Sequence, residues 1–319
     1  MIQVADRTAQ RYGRHGIAKY ERMKHYPRKQ LIGSMTREEI VRLARDVAET
    51  ATARLGRNGS APSPVEPRCG VCSTSVSEGR VAGPASEAGV GGADWVAPKE
   101  GIARLIDHTL LAPDAADADV VRLCREARQY GFWSVCVHPC RVGLAVRELA
   151  GADAKVCTVI GFPHGANTVP VKRVEAEQAL KLGADELDMV VNVGALRSGR
   201  LDSVYAEIRS LAGLTRQAGA KLKVILEMAC LDEAQKIQGA VLARLAGADF
   251  VKTSTGFGPG GAKPEDVALL HRLVGGEMGI KAAGGIRTYA RLEEMMGAGA
   301  TRIGASAGVE ILEQVGGAG

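Results

Sequence analysis

From Leu105 to Gly304 short β-branched and aliphatic runs alternate with longer stretches whose apolar residues recur every three or four positions. The short runs predict strands at Leu105–Asp107, Ser134–Val137, Val156–Gly161, Glu186–Asn192, Leu222–Glu227, Phe250–Thr253, Gly279–Ala282 and Arg302–Gly304. Between them, Ala115–Tyr130, Val169–Leu182, Ser203–Ala218, Asp232–Ala246, Pro264–Val274 and Tyr289–Met296 read as amphipathic helices. Several of these run into a Gly-Ala pair before the next strand: Gly183-Ala184, Gly219-Ala220, Gly247-Ala248 and Gly299-Ala300. Glycine suits the left-handed position that closes a helix. Eight such units in about 220 residues predict an α/β fold, a parallel sheet closed into a (β/α)8 TIM barrel. An open doubly wound sheet is the alternative, but no G-x-G-x-x-G follows the first strand.

Upstream the pattern changes twice. Residues 36–55 carry a helical apolar stripe of Ile40, Leu43, Ala44, Val47, Ala48, Ala51 and Leu55, opened by Thr36 and Glu39 at capping-box spacing. Residues 56–93 hold 8 Gly, 4 Pro and 6 Ser with no Leu, Ile or Phe, a composition that cannot offset its own ordering entropy. The expected organisation is therefore a basic, disordered segment over 1–34, an amphipathic helix over 35–55, a flexible linker over 56–94 and a barrel domain over 95–319. As a random coil the linker would span on the order of 35 Å.

Charge sharpens this division. The chain of 319 residues carries +5, yet residues 1–34 alone hold eight Lys/Arg against two Asp/Glu, so the remainder is close to neutral. That balance excludes nucleic-acid binding spread along the chain, though not a basic N-terminal arm. No apolar run approaches a membrane span, and the basic N-terminus lacks the apolar stretch of a secretory signal. The seven irregularly spaced cysteines suit reduced thiols in the cytoplasm.

In a parallel barrel the reacting groups lie at the C-terminal ends of the strands. Those ends read Asp107, Cys136 with His138, Asp188, Glu227, Lys252 and Lys281, with Gly304 and Ser306 closing the eighth. Two lysines on neighbouring strands, each among small or apolar residues, are the unusual feature. A buried lysine is costly unless paired or neutral, so each could be bridged to a carboxylate such as Asp188. Alternatively, one ammonium beside another lowers its neighbour's pKa from about 10.4 toward neutrality. The free amine could then form a Schiff base, with Asp188 holding a water or moving a proton. Gly284-Gly285 and Gly304-Ala305-Ser306 follow strands seven and eight, where such barrels bind phosphate.

Other readings of these side chains are blander. Glu227 is either catalytic or a carboxylate paired with one of the lysines. Cys136, Cys140, Cys157 and Cys230 sit in apolar settings and read as small core residues. Cys136, His138 and Cys140 could in principle hold a metal, but no second cluster or third imidazole accompanies them, and no metal is expected. Cys69 and Cys72 form a C-x-x-C without a partner pair. The barrel's His108, His138, His164 and His271 lie in unrelated contexts and predict no convergent set of metal ligands.

The strings IDHTLLAP, VCVHPC, VIGFPHGAN, GADELDMVVNVG, GADFVKTSTGFGPGGA, GIKAAGGIR and RIGASAGV resemble the deoxyribose-phosphate aldolase family across Gly101 to Leu312. The resemblance implies a cofactor-free class I aldolase that reversibly cleaves 2-deoxy-D-ribose 5-phosphate to acetaldehyde and D-glyceraldehyde 3-phosphate. It further implies Lys252 as the Schiff-base nucleophile, Lys281 as the lysine that tunes it and Asp188 as the acid–base partner. Asp107 and Thr109 would lie near the sugar, and Gly256, Gly284, Gly285, Gly304 and Ser306 in the phosphate-binding loops. The chain departs from the family at Ala307, where many relatives have a second consecutive serine, and in a tail, EQVGGAG, without the tyrosine some members carry. Another lysine-dependent aldolase or transaldolase on a phosphorylated sugar is the nearest alternative. A more distant one is a phosphate-binding isomerase or lyase barrel without covalent chemistry. A homodimer is the assembly the family implies.

The helix-plus-linker extension resembles the encapsulation peptides that direct enzymes into bacterial microcompartments, which would make a shell protein the partner of residues 36–55. The alternative is a helix that docks on its own barrel or a neighbouring subunit. Met35 would, as a start site, put that helix at the very N-terminus.

Overall fold

The computed structural model describes residues 42–46 and 99–315. The expectations for residues 1–34, for the linker with its Cys69 and Cys72, and for most of the 36–55 helix lie outside the described residues. A short helix α1 (Lys99–Ala103) leads into β1 (Ile106–Leu110). Then follow α2 (Asp117–Tyr130), β2 (Ser134–Val137), α3 (Val142–Glu148), β3 (Lys155–Ile160), α4 (Val169–Lys181), β4 (Glu186–Val190), α5 (Val193–Arg197) and α6 (Leu201–Gln217). The chain continues through β5 (Lys221–Ile225), α7 (Glu233–Ala246), β6 (Phe250–Lys252), α8 (Pro264–Val274), β7 (Gly279–Ala283), α9 (Tyr289–Gly297), β8 (Arg302–Ala305) and α10 (Gly308–Gln314). Each strand pairs in parallel with the next, and β8 returns to β1, closing the barrel through Ile106↔Ile303 and Asp107↔Gly304.

The side-chain period of two divides every strand between an outer, apolar layer and the barrel interior. Ile106, Val135, Leu187, Met189, Leu222, Val224, Val251, Ile280, Ala282 and Ile303 face outward and are buried beneath the helices. Their helical partners include Val120, Leu123 and Ala127 of α2 and Ile208 and Leu211 of α6. The four glycines of the Gly-Ala pairs all adopt positive φ, as expected, and Gly247 (φ 97) closes α7 by donating its N–H to the Ala243 and Arg244 carbonyls. At the other end of α7, Asp232 and Gln235 cap each other's backbone N–H groups.

The differences from the sequence reading have local causes. β1 extends to Leu110, beyond the predicted Asp107, because His108 on its outer face is buried with a partner, Glu126 Oε2, at 2.7 Å. β4 stops at Val190, since Asn192 turns outward to accept the Ala195 N–H and cap α5. β5 stops at Ile225, two residues before Glu227 takes a left-handed conformation. Of the N-terminal helix, residues 42–46 are described as helical. Leu43 and Ala44 are buried there, within the same apolar cluster as the barrel's helices and outer strand faces.

A buried ion pair fastens α4 to α6. Lys172 Nζ donates to Glu207 and to the Val190 carbonyl (2.7 Å), while Glu207 accepts the Asn192 N–H at 3.0 Å. Burial pushes the Glu207 carboxyl up and the Lys172 ammonium down, each against the pull of its partner. The pair therefore gains little net free energy, but either member alone is a stranded charge. Glu207→Ala should cost about 3–5 kcal/mol in chemical denaturation, and the double variant Lys172→Met/Glu207→Gln should recover most of it.

Candidate active site

The barrel interior is charged rather than apolar. Register places Asp188 of β4 beside Lys223 of β5, and Lys252 of β6 beside Lys281 of β7. All four side chains are buried, and they converge on one carboxylate. Asp188 Oδ2 accepts from Lys252 Nζ at 2.8 Å and from Lys281 Nζ at 2.7 Å, while Oδ1 accepts from Lys223 Nζ at 2.7 Å. Asp107 forms a second centre, with Lys281 Nζ at 2.5 Å, Arg302 at 2.8 Å and Lys223 Nζ at 3.5 Å. Glu186 forms a third, with Lys223 Nζ at 2.5 Å and Arg302 at 3.1 Å. Beneath it, Trp133 donates its indole N–H to Glu186 at 2.9 Å and stacks under the Arg302 guanidinium, 4.5 Å away.

The electrostatics follow from this packing. Burial pushes the Asp188 carboxyl up, but Lys223, Lys252 and Lys281 together hold it well below the ordinary carboxylate range. Asp107 is treated likewise by burial on one side and Lys281, Lys223 and Arg302 on the other, and ends well below that range. Burial would discharge Lys281 and Lys223, yet their carboxylates outweigh it and hold both ammonium groups above the ordinary lysine value. Within this network four cations (Lys223, Lys252, Lys281, Arg302) face three carboxylates (Asp107, Glu186, Asp188). Lys223 contacts three of those carboxylates, Lys281 and Arg302 two each, and Lys252 only Asp188.

Lys252 is the last residue of β6, level in register with Lys281 of β7 and with Ile225 of β5, two residues beyond Lys223. Across from the lysines, Cys136 and Cys157 pair in register, both fully buried and packed with Leu111, Val159 and Phe162. Cys157 does not match its expected apolar setting, since its Sγ lies 3.2 Å from Asp188 Oδ1 and 3.1 Å from Lys223 Nζ. Burial pushes the Cys157 thiol up, while a hydrogen bond with Cys157, with Lys281 and Lys252 nearby, draws the Cys136 thiol down. Cys140 is exposed and Cys230 half-buried, so neither is a core residue. His138 hydrogen-bonds the Leu111 carbonyl at 3.0 Å, and among the described residues no histidine belongs to a cluster able to hold a metal.

The glycines separate into two kinds. Gly256 (φ 87) and Gly284 (φ 93) meet at the mouth, where a Cβ on Gly284 would stand 3.4 Å from the Gly256 Cα. Gly285 follows with φ 77 and open space around it. Gly304 instead lies within β8, and a Cβ there would meet Lys281 Cε at 3.0 Å. Its missing side chain makes room for the lysine. Ser306 is exposed just past β8, and Thr109 Oγ1 donates to its neighbour's carbonyl at Asp107 (2.8 Å). Glu227 pairs with none of the lysines: its Oε2 accepts the backbone N–H and the hydroxyl of Thr255.

Lys223, Arg302 and Glu186 were missed by reading strand ends alone. A signal existed for Lys223: in the strand KLKVI it shares a face with Ile225, and a lysine in mid-strand of a barrel covered by helices has only the interior to enter.

The pattern of the DeoC/LacD family aldolases matches residues 102–314. The chain belongs to this family. It is an enzyme, an aldehyde-lyase built on a (β/α)8 barrel. Curated relatives include the deoxyribose-phosphate aldolases of Thermococcus gammatolerans, 56% identical over 214 residues, and of Caldanaerobacter subterraneus, 53% identical over 214. These alignments cover 66% and 67% of this chain and 95% and 93% of those proteins. Among solved structures, the tetrameric deoxyribose phosphate aldolase from Aeropyrum pernix superposes with a TM-score of 0.64 at 39% identity, over 68% of this chain and 91% of that one.

Proposed function

We propose that the site cleaves 2-deoxy-D-ribose 5-phosphate reversibly through a Schiff base on Lys252. The observation that carries this is the placement of Lys252 at the mouth end of β6, sharing a single carboxylate oxygen with Lys281. The Lys252 amine adds to the C1 aldehyde of the open-chain sugar, and loss of water gives the iminium. The C3 hydroxyl then gives up its proton as the C2–C3 bond breaks, and the bonding pair passes into the iminium as an enamine. Glyceraldehyde 3-phosphate leaves, the enamine is protonated at C2, and hydrolysis returns acetaldehyde and the amine. Asp188 is the group placed to hold the moving protons, and Lys281, fixed by Asp107, keeps positive charge beside the imine nitrogen.

The phosphate is received by backbone N–H groups at Gly256, Gly284 and Gly285, whose missing side chains let an anion approach. Ser306 adds a hydroxyl, while Gly304 acts by admitting Lys281. Asp107 serves through Lys281 and Arg302, and Thr109 stands above it at the sugar end. The test is borohydride trapping with acetaldehyde and peptide mapping of the modified lysine. Running the same trap with other donor carbonyls separates this reading from a transaldolase, whose donor would be a ketose.

Beyond the barrel, the burial of Leu43 and Ala44 in the barrel's apolar cluster favours a docked N-terminal helix over a free shell-targeting peptide. The protein is placed in the cytoplasm in this reading; among the described residues no helix is long and apolar enough to cross a membrane. Self-association is supported by the tetramer of the A. pernix relative, with a homodimer as the assembly proposed for this chain. A fluorescent reporter fused to residues 35–55 should remain diffuse in a shell-forming host; co-purification with shells would instead support targeting into a microcompartment.

A further inference from the structure

Glu227 lies outside the lysine network and has no part in the scheme above. Among the described residues it is the one non-glycine with positive φ, at 54°. Side chains disfavour that region, and such conformations persist where the surroundings over-determine them, often at functional sites. Here the surroundings are the mouth end of β6. Main-chain bonds from Leu226 N–H to the Lys252 carbonyl (3.0 Å) and from Met228 N–H to the Thr253 carbonyl (2.9 Å) lock the two segments on either side of Glu227.

The Glu227 side chain then turns onto the next stretch of the β6 loop. Its Oε2 accepts the Thr255 N–H at 3.2 Å and the Thr255 hydroxyl, and that hydroxyl accepts the Phe257 N–H at 3.0 Å. The carboxyl is pressed against Gly258, where a Cβ would stand 2.7 Å from the carboxyl carbon. Its other oxygen, Oε1, is buried with no hydrogen-bond partner. A strained backbone and a half-satisfied buried carboxylate are two costs met at one residue, and what they secure is the turn from Thr255 to Gly258. The far side of that loop is held independently. Ala262 N–H donates to the Gly284 carbonyl at 3.0 Å, and Gly261 sits so close that a Cβ would clash with that same carbonyl oxygen.

We infer that Glu227 is a positioning residue: through Thr255 it sets Gly256 against Gly284 and so shapes the place that receives the substrate's phosphate. This rests on the phosphate reading given above. It predicts an effect on recognition of the phosphorylated end, with the lysine chemistry largely spared.

The test compares 2-deoxyribose 5-phosphate with unphosphorylated 2-deoxyribose for wild type, Glu227→Gln, Thr255→Val and Thr255→Ser. Glu227→Gln and Thr255→Val should raise KM for the phosphorylated sugar about tenfold while changing kcat less than about threefold. Their preference for the phosphorylated over the unphosphorylated sugar, as a ratio of kcat/KM, should fall about tenfold, and Thr255→Ser should restore it. Thr255→Val keeps the shape of the side chain and carries the test if Glu227→Gln does not fold. Equal losses on both sugars would mean a merely structural role and overturn the inference, as would unchanged kinetics. A wild-type enzyme indifferent to the phosphate would overturn the phosphate reading itself, and the inference with it.

Discussion

Lys252→Met should abolish borohydride-trapped adduct formation with acetaldehyde and lower kcat by a factor of about 10⁴ or more, as expected when a covalent nucleophile is removed. The fold should be unaffected. Of the four buried cations, Lys252 has the fewest carboxylate contacts, and its removal leaves three cations facing three carboxylates. Methionine is close to the lysine stem in volume, so the thermal midpoint should stay level or rise. This separates the loss of a nucleophile from the collapse of a site, because a collapsed barrel would lose both. Lys281→Met is the matched control. It leaves Lys252 in place and should still give the adduct, more slowly, since Asp107 would lose one of its three cations. Mapping of the adduct to Lys281 or Lys223 would defeat the assignment to Lys252.

The barrel was legible because its outer layer follows simple rules. Runs such as Ser134–Val137 and helices such as Pro264–Val274 carry the period of their element without interruption, and the structure has both with those limits. The limits blurred where polar residues belong to the element. The strand Ile106–Leu110 contains Asp107, His108 and Thr109, each held by a partner in another element or on the strand's own backbone. Short helices such as Val193–Arg197 passed unnoticed because five residues cannot display a period.

At the site, Lys252, Lys281 and Asp188 could be found because each is an ionisable residue inside an apolar context. That they meet at one carboxylate could not, because the 64 and 93 residues separating them from Asp188 are bridged only by closure of the barrel. Of the salt-bridged and the reactive alternatives, the first is what the geometry displays: Asp188 bridges both lysines, and the two differ in how many other carboxylates each one has. Glu227 illustrates the opposite failure. Its position at the end of the predicted strand left it either catalytic or paired with a lysine, but its left-handed backbone turns the carboxyl to Thr255, and nothing in the string LEMAC announces that conformation.

Asp188→Asn should produce the second large effect, and it should appear in stability as well as in rate. Loss of the proton carrier should lower kcat about 10³-fold, within the range for general acid–base groups. Removal of the carboxylate also leaves four buried cations facing only Asp107 and Glu186, which should cost about 3–5 kcal/mol. For a barrel of this size that corresponds to a fall of roughly 10 °C in thermal midpoint. The pH dependence gives the sign of the effect. In the wild type, Asp188 and Asp107 are held below the ordinary 3.8, so their stabilisation is present above that pH and lost as pH falls further. Lys223 and Lys281 are held above the ordinary 10.5, so theirs persists up to that pH and is lost beyond it. These four groups therefore give a level stability profile between about pH 5 and 10. In Asp188→Asn, Lys223 and Lys281 lose one of the carboxylates that hold them charged, so they discharge at lower pH and the repulsion between them is relieved as pH rises. The variant's deficit relative to the wild type should therefore shrink from pH 6 to pH 10 in melts run side by side. A deficit that is constant with pH would mean that Asp188 supports the fold by packing and hydrogen bonding alone, and that the lysines do not depend on it for their charge.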